Sequence, residues 1–151
     1  MLAKVSNMIK TLKKYDPDKI LERMTDVIIQ FSKNKDKYDD DEIANMRASL
    51  STGTYIFVET NLGPAHEDLI SATIAYEKAE AKAYNDSFNE LKAEGKSDSL
   101  ADSMARKLYK MDEEYVEALR TFTTVKNTVY MSDKLLTQAN QVLNAMGKRN
   151  R

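Results

Sequence analysis

The single histidine, His66, is the first side chain to test for chemistry, since an imidazole can hold a metal or move a proton near neutral pH. No glutamate precedes it by three residues and the chain has no second histidine, so the paired Glu-x-x-His pattern of a di-metal site in a helical bundle is missing. A zinc site would have to be completed by scattered carboxylates. Cysteine is absent, which removes thiolate ligands and disulfides. His66 therefore reads as a structural or surface residue. The stretch Asp36 to Glu42 is rich in acids, but Asp39 to Glu42 run consecutively and the central glycine of a calcium-binding loop is missing, so it reads as a solvated helix start. No glycine-rich phosphate loop or nucleophile elbow is present. The expectation is a protein without catalytic residues, metal or cofactor.

Cations and aromatic rings at helical spacing offer a second kind of chemistry. Lys78 and Lys82 stand one turn apart, flanked by Tyr76 and Tyr84. Such a set could follow a phosphate backbone and stack bases. It could equally hold Tyr76 and Tyr84 in a core, with the lysines paired to Glu77, Glu80 or Asp86. Arg106, Lys107, Tyr109 and Lys110 form a second mixture of the same kind, and Lys148, Arg149 and Arg151 form a basic tail.

These groups must be positioned by helices. The chain has 151 residues, 31% of them charged, with only four glycines and two prolines. That composition suits one domain of long helices with few turns. Leu2, Val5, Ile9 and Leu12 mark a first amphipathic helix over 2–14. Asp16-Pro17 caps and starts a second, whose buried stripe is Ile20, Met24, Val27, Ile28 and Phe31. Asp39 and Glu42 have capping-box spacing at the head of a third, carried by Ile43, Met46, Leu50, Phe57 and Val58. Within it Thr54–Val58 has strong β-propensity, but no second strand is available to pair with it, so the reading stays helix.

Gly63-Pro64 predicts a break. Beyond it Leu69, Ala72, Tyr76, Ala79 and Ala83 recur at heptad spacing, a seam narrow enough for close helix approach. Gly95 predicts a stop and Ser97 the next cap. From Lys96 to Met146 neither glycine nor proline occurs, and the apolar stripe runs from Leu100, Met104, Leu108 and Met111 to Leu136, Leu143 and Met146. Caps could break it near Met111-Asp112 or at Ser132-Asp133, and Gly147 predicts its end. The expected fold is all-α: one domain over 1–151, with small N-terminal helices over 1–62, an antiparallel long-helix hairpin with coiled-coil-like packing over 64–147, and a basic tail over 148–151. The alanine seam, with Leu136 and Leu143, could close the hairpin or drive self-association, and a homo-oligomer is expected.

Net charge is −1 but unevenly spread: residues 1–37 hold nine Lys/Arg against five acids, and residues 38–80 hold two against nine. A neutral total can therefore hide a basic face. No apolar run reaches the ~18 residues of a membrane span, and Met1 to Val5 does not open a secretory signal. A cytoplasmic protein, without a membrane partner, is expected.

The C-terminal half resembles the UvsY recombination mediators of T-even-type phages and related phage coil-containing proteins. The residues that carry the likeness are Ala81-Lys82-Ala83-Tyr84, the Gly95-Lys96-Ser97 turn, and the ending Leu135-Leu136, Ala139, Val142-Leu143, Ala145-Met146 and Lys148-Arg149. It spans about residues 70–149. The resemblance implies a ring-like homo-oligomer in the host-cell cytoplasm that binds single-stranded DNA. Its partners would be a RecA-like recombinase and the phage single-strand binding protein, and it would help load the recombinase without hydrolysing anything. The candidate DNA contacts are Lys78, Lys82 and Tyr84, with Arg106, Lys107, Lys148 and Arg149 as secondary ones. One departure matters: the family's stretch reads Lys-Ala-Arg where this chain has Lys82-Ala83-Tyr84, leaving Lys78 to supply the missing cation from the adjacent turn. Two other readings stay open. One is a helical structural or adaptor protein, such as a virion component or scaffold. The other is an inhibitor that presents the acids of 38–80 to a basic partner.

Overall fold

The computed structural model describes residues 16–149, so the expected helix over 2–14 and Arg151 lie outside the described residues. All the regular structure within this range is helical: α1 (Pro17–Asn34), α2 (Asp40–Phe57), a π turn (Val58–Leu62), α3 (Gly63–Ala93), α4 (Asp98–Leu108), a 3-10 turn (Tyr109–Met111) and α5 (Glu113–Arg149). The described residues divide into two compact units, one of residues 16–64 with 130–149 and the other of residues 65–129.

Local chemistry starts the helices where the residue types predict. The Asp16 side chain accepts from Asp18 N at the head of α1, with Pro17 in the first turn, where its missing N–H costs nothing. At α2 both halves of the capping box form: Asp39 Oδ1 accepts from Glu42 N at 2.8 Å and Glu42 Oε2 from Asp39 N at 2.9 Å. The β-prone stretch Thr54–Val58 is helical. Its threonine hydroxyl donates to the Leu50 carbonyl at 2.7 Å, and Ile56 and Phe57 are buried, so packing overrides propensity.

In the first unit, α1 contributes Ile20, Met24 and Phe31 to a core shared with Ile43, Leu50, Ile56 and Phe57 of α2 and Leu62 of the π turn. Ala139, Val142 and Met146, from the last turns of α5, complete it. Val27, Ile28, Leu136 and Leu143 pack around it half-buried. Burying each large side chain here contributes about 1.5–3 kcal/mol.

The expected break at Gly63-Pro64 is corrected: the helical backbone continues, and the chain accommodates the proline by a π turn. A proline ring collides with the carbonyl four residues back and offers no N–H. Widening the preceding turn relieves this, and Gly63 N donates five residues back to Val58 O. Gly147 is a second correction, since α5 runs through it to Arg149. A Cβ there would lie 3.0 Å from Nη2 of Arg47, so the missing side chain leaves room for that guanidinium and does not end the helix.

In the second unit, residues of α3 pair with progressively earlier residues of the return arm: Tyr76 with Phe122, Lys82 with Glu114, Tyr84 with Asp102, and Lys92 with Asp98. That order defines an antiparallel hairpin. Gly95, at φ +86°, makes the turn. Lys96 N donates to Leu91 O and Gly95 N to Lys92 O, the two bonds of a Schellman ending. Ser97 then caps α4. The return arm breaks at the first of the two expected places: Asp112 takes extended geometry after the 3-10 turn, and its carboxylate accepts from Tyr115 N at 2.9 Å to start α5. At Ser132-Asp133 α5 continues.

Gly95→Ala tests the turn. No atom lies within 4 Å of the added Cβ, so the cost is backbone strain alone. A loss of about 1–2 kcal/mol in urea unfolding is expected. Phe57→Ala, which empties a buried core position, is expected to cost about 3–5 kcal/mol by the same measurement.

Candidate binding surfaces

The alanine seam of α3 faces the interior of its own unit. Ala72 and Ala83 are buried, and Leu69, Tyr76 and Ala79 are half-buried. Tyr76 stacks on Phe122 with ring centres 5.1 Å apart and lies 5.8 Å from Tyr115. Tyr115 in turn meets the edge of Tyr109 at 5.2 Å. Four rings thus fill the space that the small residues leave open, and such contacts are worth about 0.5–1.5 kcal/mol each beyond the area they bury. Leu136 and Leu143 belong to the core of the other unit.

Toward the tip of the hairpin, Leu91, Ala101 and Ala105 form a small core flanked by Tyr84, Phe88 and Met104. Tyr84 lies half-buried beside the Phe88 ring. Its hydroxyl donates to Asp102, which also accepts from Arg106 Nε at 3.1 and 3.2 Å. Two of the sequence-derived DNA candidates, Tyr84 and Arg106, are therefore joined through one carboxylate. Hydrogen bonds from Tyr84 and then Arg106 hold the Asp102 carboxyl below its usual range, and the same partnership raises the Tyr84 phenol.

The remaining cations differ in their engagement. Lys82 Nζ meets Glu114 Oε2 at 2.9 Å, which raises its pKa, but both side chains are mostly exposed and such a pair is easily exchanged. Lys92 is paired with Asp98. Lys78, Lys107 and Lys110 are exposed and form no ion pair with another described residue. Lys148 is exposed on the last turn of α5, in the other unit, and Arg149 is the final helical residue. The second unit holds nine basic against thirteen acidic residues, so any attraction for phosphate there is local.

An apolar surface accompanies these charges, and the stripe pattern read from the sequence did not distinguish it from core. Leu100, Leu108 and Met111 are 47%, 42% and 78% exposed, with Met104 half-buried among them. The buried side of α4 is instead Ala101 and Ala105. The signal was in the sequence: a short helix with alanine at 101 and 105 can seat itself on small residues and leave its larger ones outside.

A groove of about 770 Å³ lies between α1 and α2, floored by Ile20, Met24, Leu50 and Ile56 under a rim that includes Asp16 and Arg23. Among the described residues no group of three His, Asp or Glu side chains could hold a metal ion, and His66 lies exposed. No helix of the described residues is long and apolar enough to cross a membrane. Asp39 and Glu42, at the head of the acidic stretch, are engaged in the α2 cap. Comparison of the chain with family models, curated proteins and solved structures returns no match.

The ring cluster makes a pH prediction. The contact with Tyr115, then burial, then the nearby Glu80 carboxylate raise the Tyr76 phenol from 10.0 to about 12, and Tyr84 and Tyr109 are raised as well. A raised phenol means that the folded state favours the neutral form. The associated stability is complete below pH 10 and is lost as pH climbs through about 12. Unfolding midpoints measured across that window should fall, and Tyr76→Phe should flatten the fall relative to wild type, leaving the shares of Tyr84 and Tyr109.

Proposed function

We propose that the chain is a non-enzymatic helical protein that binds single-stranded DNA and serves as a recombination mediator, helping to load a RecA-like recombinase. The observation that carries this reading is the set of exposed lysines on the second unit that have no ion pair among the described residues: Lys78, Lys107 and Lys110. Lys82 can join them by exchanging Glu114 for a phosphate, since an exposed ion pair of this kind is worth at most about 1 kcal/mol. The geometry also sharpens the chemistry. Tyr84 is engaged with Phe88 and Asp102, so the contact is to the phosphate backbone rather than by stacking on that ring. Phosphate contact of this type is insensitive to sequence and sensitive to salt. The resemblance to phage mediators adds self-assembly, which would repeat a modest set of cations across several copies and multiply the affinity.

A second reading, a helical adaptor or scaffold, is favoured by the exposed apolar side chains of α4.

Fluorescence anisotropy of a labelled oligothymidylate tests the first reading. Three phosphate contacts per protomer predict that log K falls with log salt at a slope of roughly −2. Lys78→Ala combined with Lys107→Ala should weaken binding by about tenfold and flatten that slope, while Tyr84→Phe leaves it unchanged. Absence of binding at low salt by folded protein removes the mediator reading and leaves the adaptor.

A further inference from the structure

Helix α4 is held against α3 by Ala101 and Ala105, both fully buried beside Leu91, by half-buried Met104, and by the bond from Tyr84 to Asp102. Leu100, Met104 and Leu108 then follow one another at intervals of four residues, and Met111 in the 3-10 turn extends the row. An i±4 row of this kind is the ridge that fits the groove of another helix. Leu100, Leu108 and Met111 are exposed along it while Met104 between them is half-buried against the Leu91 core, and methionine at its end suits an adaptable contact.

The charges beside the row say what fits it. Both acids of α4 are engaged within the protomer, Asp98 with Lys92 and Asp102 with Tyr84 and Arg106. The flank of the row away from Ala101 and Ala105 carries Ser99, Ser103, Lys107 and Lys110, all exposed, and the two lysines have no ion-pair partner among the described residues. The row is thus an apolar ridge bordered on one flank by two lysines that form no ion pair among the described residues.

We propose that α4 is a docking site for an amphipathic helix of another protein, one that carries acidic residues beside its apolar face. The inference rests on the adaptor reading and draws on two of the lysines, Lys107 and Lys110, that the DNA-binding reading also uses. A second copy of the chain is a poor occupant, because the same row on that copy carries lysines rather than acids beside its apolar side chains and so offers nothing complementary to Lys107 and Lys110. A bilayer is poorer still. The row is a single ridge, bounded by the protomer's own core on one side, and lacks the broad face and bulky aromatic anchors of interfacial helices.

The test uses the full chain and two fluorescein-labelled helical peptides of about three heptads, with leucine at the apolar positions and either glutamate or lysine at the flanking ones. The glutamate peptide is expected to bind at least about tenfold more tightly than the lysine peptide. Leu108→Ser with Met111→Ser, both at exposed positions, should abolish binding of the glutamate peptide while leaving oligonucleotide binding unchanged. Lys107→Glu with Lys110→Glu should reverse the preference between the peptides. Equal binding of both peptides would overturn the charge-selected site and leave an apolar adaptor surface. Binding of neither would overturn the site and the adaptor reading together. The proposal also fails if the chain binds phosphatidylserine vesicles but not the peptides, or if it self-associates in a way that the Leu108/Met111 variant abolishes.

Discussion

Burial of alanine is the constraint on which the rest depends. Ala101, Ala105 and Ala139 are fully buried, and Ala72 and Ala83 nearly so. A methyl group in a helix contact brings two backbones close together and leaves room beside it for something larger. In the hairpin that space is taken by the rings of Tyr76, Tyr109, Tyr115 and Phe122. Beside α4 the same economy has another consequence. The alanines hold the helix, so Leu100 and Leu108 remain at the surface, with Met111 beyond them, and only Met104 is drawn half inside.

The polar groups follow from this geometry. Among the described residues no polar or charged side chain is buried, and no buried side-chain polar atom lacks a hydrogen-bond partner. Threonines within helices donate to the carbonyl four residues back, as Thr54, Thr60 and Thr73 do, so a helix of mixed composition carries no desolvation penalty for them. What distinguishes one exposed cation from another is its engagement. Tyr84 and Arg106 share Asp102, whereas Lys78, Lys107 and Lys110 form no ion pair among the described residues. A binding role therefore falls more readily to the free lysines than to the tyrosine that the sequence pattern placed beside them.

Much of this was legible before the structure. The caps at Asp16, Asp39 and Ser97 and the turn at Gly95 were readable because each depends on a residue type within a few positions of a helix end. The buried stripe of α1 was readable for a related reason, since periodicity is a local property. Gly63-Pro64 and Gly147 were misread because a proline or glycine signals a local weakness without saying whether packing compensates for it. At Pro64 a π turn absorbed the ring clash, and at Gly147 the missing side chain made room for Arg47.

The sequence by itself determined an all-helical chain and where most of its helices begin, because capping and hydrophobic period act over one or two turns. Only the tertiary structure decided which apolar residues lie inside and which cations remain free. The row from Leu100 to Met111 has the same period whether it faces a core or solvent, and Lys82 has the same neighbours in sequence whether or not Glu114 reaches it. Both outcomes depend on contacts between segments far apart in the chain, which no local pattern encodes.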